Sequence, residues 1–378
     1  MMETKPIGLY VHIPFCKRKC NYCDFCSVAA PEDKIDKYAD ALVEEIKSYS
    51  ENEKIKVDSV FIGGGTPSYI SCESFLKIAN SIKETFELSS DTEYTVEVNP
   101  GTLTQEKIRA FKEAGVNRVS LGLQSIHEKE TKKLGRIHNY QDFLRSFNMI
   151  KSGLTDNINI DLMYGIPYQT KESFEKTLSS VLELDPAHIS CYGLIIEEGT
   201  PFFLQKDTLD LPSEDEEYEM YMMADSILTS AGFSHYEISN YAKEGRRCRH
   251  NLKYWRDEEY IGVGLSAHSY YRGIRFSNPV DFDEYFDPFR EKYRIRESEK
   301  LGKDSFEYAM LAMRLSDGFS LSEYEKLFGR SFIEGKERYI DLCVSRGLLK
   351  IENGFIKLTS SGFYLSNTIL TELLDFPS

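Results

Sequence analysis

The sequence predicts an α/β chain with parallel strands, followed by a small helical unit that ends in a winged-helix-like hairpin. Three observations carry this. Segments rich in β-branched and aromatic residues alternate with amphipathic stretches six times. Strand–helix–strand order favours parallel pairing through right-handed crossovers. The last part of the chain runs through helical patterns into two apolar segments around Asn353-Gly354, a strong hairpin signal. Alternation alone fits a partial barrel and a doubly wound sheet equally well.

The expected strands are 9–13, 59–62, 94–98, 118–123, 158–163 and 188–194, and the helices between them are 34–49, 73–86, 105–114, 140–151 and 172–184. Gly115 and Gly153 read as C-terminal stops for two of these helices. Polar residues gather where the strands end. The second strand runs into Gly63-Gly64-Gly65-Thr66-Pro67, the third holds Glu97, the fourth Gln124 and the fifth Asp161. A parallel barrel carries its chemistry at those ends. A buried carboxylate needs a partner. A salt bridge inside the barrel explains any one of these residues, but poorly explains four at successive strand ends.

Length and charge set bounds. With 378 residues the chain has room for two domains and a small third, and its net charge of -15 argues against nucleic acid as a partner. Eight cysteines are too sparse for a disulfide scaffold. No leader-like opening and no long apolar run occurs, so a cytosolic protein is expected, with peripheral membrane contact left open.

The strongest chemical signal is Cys16-Lys17-Arg18-Lys19-Cys20-Asn21-Tyr22-Cys23, directly behind the first strand. Three cysteines at C-x3-C-x2-C spacing bring three thiolates onto one loop. A cubic iron–sulfur cluster normally takes four, so three leave one iron open to a small molecule. A zinc loop completed by Cys26 or His12 is the competing reading, although zinc loops more often use two separated C-x2-C pairs. Unpaired buried thiols are a further one.

With its flanking residues, this loop resembles that of the radical S-adenosylmethionine (SAM) superfamily. Leu9-Tyr10-Val11-His12-Ile13-Pro14-Phe15-Cys16 and Tyr22-Cys23-Asp24-Phe25 are similar to its HemN/HemW branch. The resemblance implies a partial (β/α)6 barrel. It implies a [4Fe-4S] cluster on Cys16, Cys20 and Cys23, with the fourth iron left to SAM. Gly63-Gly64-Gly65-Thr66-Pro67 is similar to the branch's GGGTP motif, which holds the methionine end of SAM. Carried over position by position, the implied SAM contacts are Tyr10, Tyr22, Gly64, Gly65, Thr66, Glu97, Gln124, Arg136 and Asp161. Without the resemblance, Arg136 would read as an ordinary solvated cation on a surface helix.

Farther on, a helix over 214–230 opens with a capping box from Ser213 to Glu216. The stretch 235–255 then collects the only tryptophan, two of the seven histidines and several arginines and tyrosines. From the residues alone, core histidines and ordinary aromatic packing account for it. His250-Asn251-Leu252-Lys253-Tyr254-Trp255, however, matches the HNxxYW motif of the HemW family, which implicates His250 in haem binding. Gly262-Val263-Gly264-Leu265-Ser266-Ala267-His268-Ser269 also looks like that family, and makes His268 a second possible ligand. From 301 the chain reads as helices over 305–315, 320–328 and 332–346 before the hairpin. With 9 Lys/Arg against 11 Asp/Glu after residue 301, that unit has no basic stripe for DNA.

The expected division is a SAM and cluster core over 1–232, an extension with the HNxxYW motif over 233–300, and a winged-helix-like domain over 301–378. The resemblance implies a heme chaperone that binds a [4Fe-4S] cluster, SAM and haem and passes haem to respiratory proteins. The alternative is an oxygen-independent coproporphyrinogen III oxidase, in which reductive cleavage of SAM drives decarboxylation. Only fifteen residues precede Cys16, Cys26 falls one position later than the oxidases' fourth cysteine, and the HNxxYW motif is present. All three favour the chaperone. The intact set of SAM positions leaves cleavage of SAM open.

Overall fold

The computed structural model describes residues 5–50, 53–299 and 304–375. Six strands pair in chain order and all in parallel: β1 (Ile7–Ile13), β2 (Lys56–Gly64), β3 (Glu87–Val98), β4 (Arg118–Gln124), β5 (Ile158–Tyr164) and β6 (His188–Gly193). The order never reverses, so there is no switch point of a doubly wound sheet. The strip is a partial barrel and it stays open. Beyond β6, the antiparallel β8 (Asn240–Ala242) and then β7 (Ser234–Glu237) extend one edge. Beyond β1 come the parallel β9 (Tyr260–Val263) and the antiparallel β10 (His268–Tyr271), β11 (Ile274–Ser277) and β12 (Ile295–Glu299). Residues 233–300 thus supply strands to both edges of one mixed sheet.

Two side-chain sets alternate along the six strands, as the pleat requires. Val60 and Ile62, Val96 and Val98, Val119 and Leu121, and Ile158 and Ile160 are almost fully buried and share one core with Phe75, Phe111 and Phe147 of the crossover helices. The opposite set, facing the barrel interior, is mainly polar or small, with Ser59 and Gly63, Thr95 and Glu97, Ser120 and Gly122, Asn159 and Asp161, and includes the larger Phe61 and Met163. Strands buried on both faces usually read as unbroken apolar runs. Here the polar interruptions mark the interior.

The helices lie where periodicity puts them: Glu32–Ser48, Cys72–Thr85, Gln105–Ala114, Tyr140–Gly153 and Lys171–Leu182. Gly115 closes its helix in the left-handed region at φ +94°. Gly153 does not act as a stop. It is the last helical residue, and a Cβ there would lie 3.0 Å from Ile108, so close helix packing is its role. The Glu214–Ser230 helix has the expected reciprocal capping box between Ser213 and Glu216.

In the C-terminal part, β14 (Leu349–Glu352) and β15 (Phe355–Leu358) form the hairpin through Asn353 and Gly354, both at positive φ as a type I′ turn needs. A two-residue strand, β13 (Phe319–Ser320), adds a third member too short to leave a sequence signal. The helix expected over 332–346 forms only as Glu337–Ser345, because Gly335 takes φ +77° and interrupts it. This unit is stitched to the sheet edge by backbone bonds from Ser316 N to Tyr236 O (3.1 Å) and from Ile238 N to Arg314 O (3.0 Å).

The Arg249–Trp255 helix closes the barrel at the end where the strands begin. Its first turn sits on the buried Glu93 of β3, whose carboxylate accepts from Arg249 N at 3.0 Å and His250 N at 3.1 Å. Beside it His188, fully buried, bonds Asn159 Oδ1 at 2.7 Å and Tyr236 OH at 2.8 Å. Glu93→Ala should leave two backbone donors unpaired, a loss of about 1–3 kcal/mol for each such group. The expected outcome is a clear fall in the denaturant midpoint with m unchanged, partly restored by Glu93→Gln.

Candidate cofactor site

The loop carrying the three cysteines is held at its base and at its tip. Cys16 N donates to Val28 O (2.9 Å) and Val28 N to Pro14 O (2.7 Å), which closes the base. At the tip, Asn21 bonds Leu134 O through its backbone (2.9 Å) and Lys133 O through its amide (2.8 Å), and its own carbonyl accepts from Phe202 N at 3.0 Å. Cys16 is buried and accepts from the Thr66 hydroxyl at 3.3 Å, while Cys20 and Cys23 are half-buried. Burial pushes the thiols of Cys16 and Cys23 above the usual range. Among the described residues, no three His, Cys, Asp or Glu side chains converge on a single ion. A cubic cluster does not ask them to, since each thiolate meets a different iron.

The glycine run turns tightly under this loop. Gly65 N donates to Ile13 O and Thr66 N to Phe15 O, both at 2.8 Å, so the segment is an extension of the β1–β2 ladder. Gly64 has φ +110°, and a Cβ there would stand 2.5 Å from the His12 ring. At Gly65 a Cβ would meet backbone atoms of Phe15 at 2.8 and 2.9 Å. Only residues without side chains fit both places.

Eleven of the thirteen residues expected from the sequence line one cavity of about 450 Å³ above the strand ends: Cys16, Cys20, Cys23, Tyr22, Gly64, Gly65, Thr66, Glu97, Gln124, Arg136 and Asp161. Arg136 is not on a surface helix. It follows the Glu128–Lys133 helix, and its guanidinium turns inward to Gly122 O (2.8 Å), Asn99 Oδ1 (3.0 Å) and Cys20 Sγ (3.9 Å). Gln124 is held at φ +68°, and its buried Oε1 has no hydrogen-bond partner. A strained backbone and an orphaned acceptor facing a cavity suit a site that a ligand completes.

Two carboxyls line this cavity, Glu97 and Asp161. Glu97 Oε2 accepts from Gly64 N at 3.0 Å, and Asp161 is held by Ser120 (3.0 Å) and Asn159 (2.7 Å). Burial, then the nearby Asp161, push Glu97 up to about 8, and burial raises Asp161 too. The folded chain therefore keeps the Glu97 proton where the unfolded chain has lost it, between about 4.5 and 8. Stability from this group falls as pH rises through that interval. The melting temperature of the apo-protein is expected to drop between about pH 5 and 8, and Glu97→Gln to flatten part of the drop in a calorimetric pH series.

Tyr10 and His250 lie elsewhere. Tyr10 bonds His12 Nδ1 at 2.9 Å and lines a second cavity of about 430 Å³ with His12, Phe25, Cys26, Tyr254, Tyr260, Ser266 and His268. The two cavities share Phe25, Gly64 and Glu97. His250 lines neither. It is 1 % exposed, with Nδ1 3.0 Å from Ser59 Oγ and Nε2 2.8 Å from Tyr254 OH. Burial, then the cations of Lys253 and Arg118, push its imidazolium down to about 3, so it is neutral. Sequence reasoning passed over Ser120 and Tyr192 of the first cavity, while Asn99, noted after the third strand, lines it too. Counting inward parity back from each strand end finds Ser120 and Tyr192, since they share the parity of Gln124 and Ser190.

Comparison with known proteins places this geometry. A family model described as the Radical SAM superfamily matches residues 10–181, and one described as the HemN C-terminal domain matches residues 304–365. The chain is 35% identical over 376 residues to a Bacillus subtilis (strain 168) protein named heme chaperone HemW, covering 97% of this chain and 98% of that one. A Lactococcus lactis subsp. lactis (strain IL1403) protein of the same name is 36% identical, covering 99% and 98%. Among solved structures, the Escherichia coli radical SAM enzyme coproporphyrinogen III oxidase (HemN) superposes with a TM-score of 0.85 over 98% of this chain and 91% of its own. At 22% identity that likeness concerns the fold.

Proposed function

The chain belongs to the HemW family of the radical SAM superfamily, and from that premise we propose that it is a haem-binding carrier with a [4Fe-4S] cluster and SAM, which hands haem to haem-dependent respiratory proteins. The observation that supports this best is one cavity onto which the three thiols, the glycine cradle and the polar ends of β3, β4 and β5 all open. Cys16, Cys20 and Cys23 hold the cluster in this reading. Gly64, Gly65, Thr66, Tyr22, Glu97, Gln124, Arg136 and Asp161 hold SAM.

The donor set suits those two groups. Three thiols without a fourth leave an open iron, the cradle tolerates no Cβ, and the Gln124 carbonyl is left for a ligand to satisfy. Bound there, the cluster supplies an electron to SAM. The protein's own residues do the positioning. Gly64 N fixes one oxygen of Glu97, whose carboxyl is pushed up to about 8 by burial and then by the nearby Asp161. An ammonium group beside it favours the ionised form, so binding of SAM is expected to release a proton. Arg136 couples Cys20 to the β4 backbone and so ties the cluster loop to the cavity wall.

Among the described residues, no helix is long and apolar enough to cross a membrane. The coproporphyrinogen oxidase reading is tested directly. Reconstituted protein given coproporphyrinogen III, SAM and a reductant is expected to yield no decarboxylated porphyrinogen. Stoichiometric or faster conversion would move the chain to the oxidase class.

His250 does not fit the place of an iron ligand as it stands. Both ring nitrogens are engaged beneath the helix that closes the barrel, and His250 lines neither of the two cavities described above.

A further inference from the structure

We propose that His188 is a positioning residue for the first cavity, the central link of a one-way chain of hydrogen bonds that runs from the helix closing the barrel to Asp161 and holds it as the cavity's ionised carboxylate. This deepens the SAM-binding reading above and rests on it.

Each link has a direction. Asn159 Nδ2 lies 2.7 Å from Asp161 Oδ1 and 2.8 Å from Ser120 Oγ, and Ser120 donates to Asp161 Oδ2 at 3.0 Å. Turning the Asn159 amide over would set two acceptor oxygens 2.7 Å apart, so its Oδ1 faces His188. His188 Nδ1, 2.7 Å from that oxygen, therefore carries the ring proton. Burial, then the Arg118 cation, push the His188 imidazolium well below its usual range, which leaves Nε2 an acceptor. Tyr236 OH donates to it at 2.8 Å and itself accepts from Cys248 N at 3.1 Å. Cys248 is the N-cap residue of the Arg249–Trp255 helix.

Every donor in this chain points toward Asp161, and both oxygens of that carboxyl are met. For Glu97 the described donor is Gly64 N alone. The groups facing Asp161 from other elements are Glu97 of β3, Arg118 of β4, Tyr192 of β6, and Tyr22 and Arg136 beside the cluster loop. The Arg118 cation favours ionisation of both carboxyls, so hydrogen bonding decides between them. Donors to the charged form favour it, and the charge falls to Asp161 in preference to Glu97. Asp161 then meets a ligand as an acceptor, suited to a hydroxyl or an ammonium group. His188 and Tyr236 are fully buried and line neither cavity, so they reach a ligand only through Asp161.

Nitrogen-15 spectra of the histidine rings in the full chain without cluster test the direction of the chain with no functional variant. His188 is expected as the Nδ1–H tautomer, unchanged between about pH 5 and 8. The Nε2–H tautomer, or an imidazolium, overturns the proposal. Equilibrium dialysis of SAM against the reconstituted chain tests the consequence. His188→Leu is expected to weaken binding about tenfold and to move its acid limb to higher pH, because Asp161 without this support takes up a proton sooner. His188→Asn, whose amide replaces the Nδ1–H donor, is expected to recover most of both. Affinity and pH profile unchanged in His188→Leu, or equally impaired in His188→Asn, overturn the assignment. A parent chain that binds no SAM defeats the SAM-binding reading instead, and the ring spectra still decide the direction of the chain.

Discussion

A Cys20→Ser chain, reconstituted anaerobically, is expected to carry no intact four-iron cluster and to lose SAM binding with it. Cys20 is the informative position among the three. Its thiol is half-buried, and its described contact is the long one from Arg136 at 3.9 Å, which a serine hydroxyl can keep in part. The fold without metal should therefore shift by less than about 0.5 kcal/mol, as for substitutions away from packed features. Cys16 would confuse the result, because it is buried and accepts the Thr66 hydroxyl, so its loss disturbs the loop as well as the metal. Iron and sulfide content, the visible charge-transfer bands and equilibrium dialysis with SAM read the two losses separately. An intact four-iron cluster in this variant would contradict the ligand assignment.

Gly64→Ala is expected to be nearly as damaging, through geometry alone. Its Cβ would stand 2.5 Å from the His12 ring, and its φ of +110° is one that side chains rarely adopt. Strain of this kind costs on the order of 1–3 kcal/mol. His12 cannot give way freely, since its Nε2 is 2.8 Å from Cys26 O and its Nδ1 holds Tyr10. The change should reach the cluster loop on one side and the second cavity on the other. The expected outcome is a lower melting temperature together with loss of SAM binding, while Gly101→Ala, a positive-φ glycine with open space around it, should cost stability but leave binding intact.

The strip of six strands and the three-cysteine loop were legible because their signals are local. Period, spacing and turn residues are set within a few positions of one another. What escaped was set by contacts far along the chain. Arg136 looks like a surface cation until Asn99, just past the end of β3, and Gly122 of β4 are brought beside it. β9 pairs with β1 across some 250 residues, and strands of three to five residues leave too little alternation to read. His250 was identifiable as a residue of interest, yet its surroundings depend on Ser59 and Tyr254 meeting at the closed end of the barrel. A motif conveys residue types in order. It does not convey which of them face open space.

The central claim is that this chain carries haem, and a direct titration of anaerobically reconstituted protein tests it. Visible absorbance should change saturably and reach an end point near about one haem per chain, with a dissociation constant in the micromolar range or tighter. Absorbance that rises without saturating, as haem partitions onto exposed apolar surface, would contradict the account.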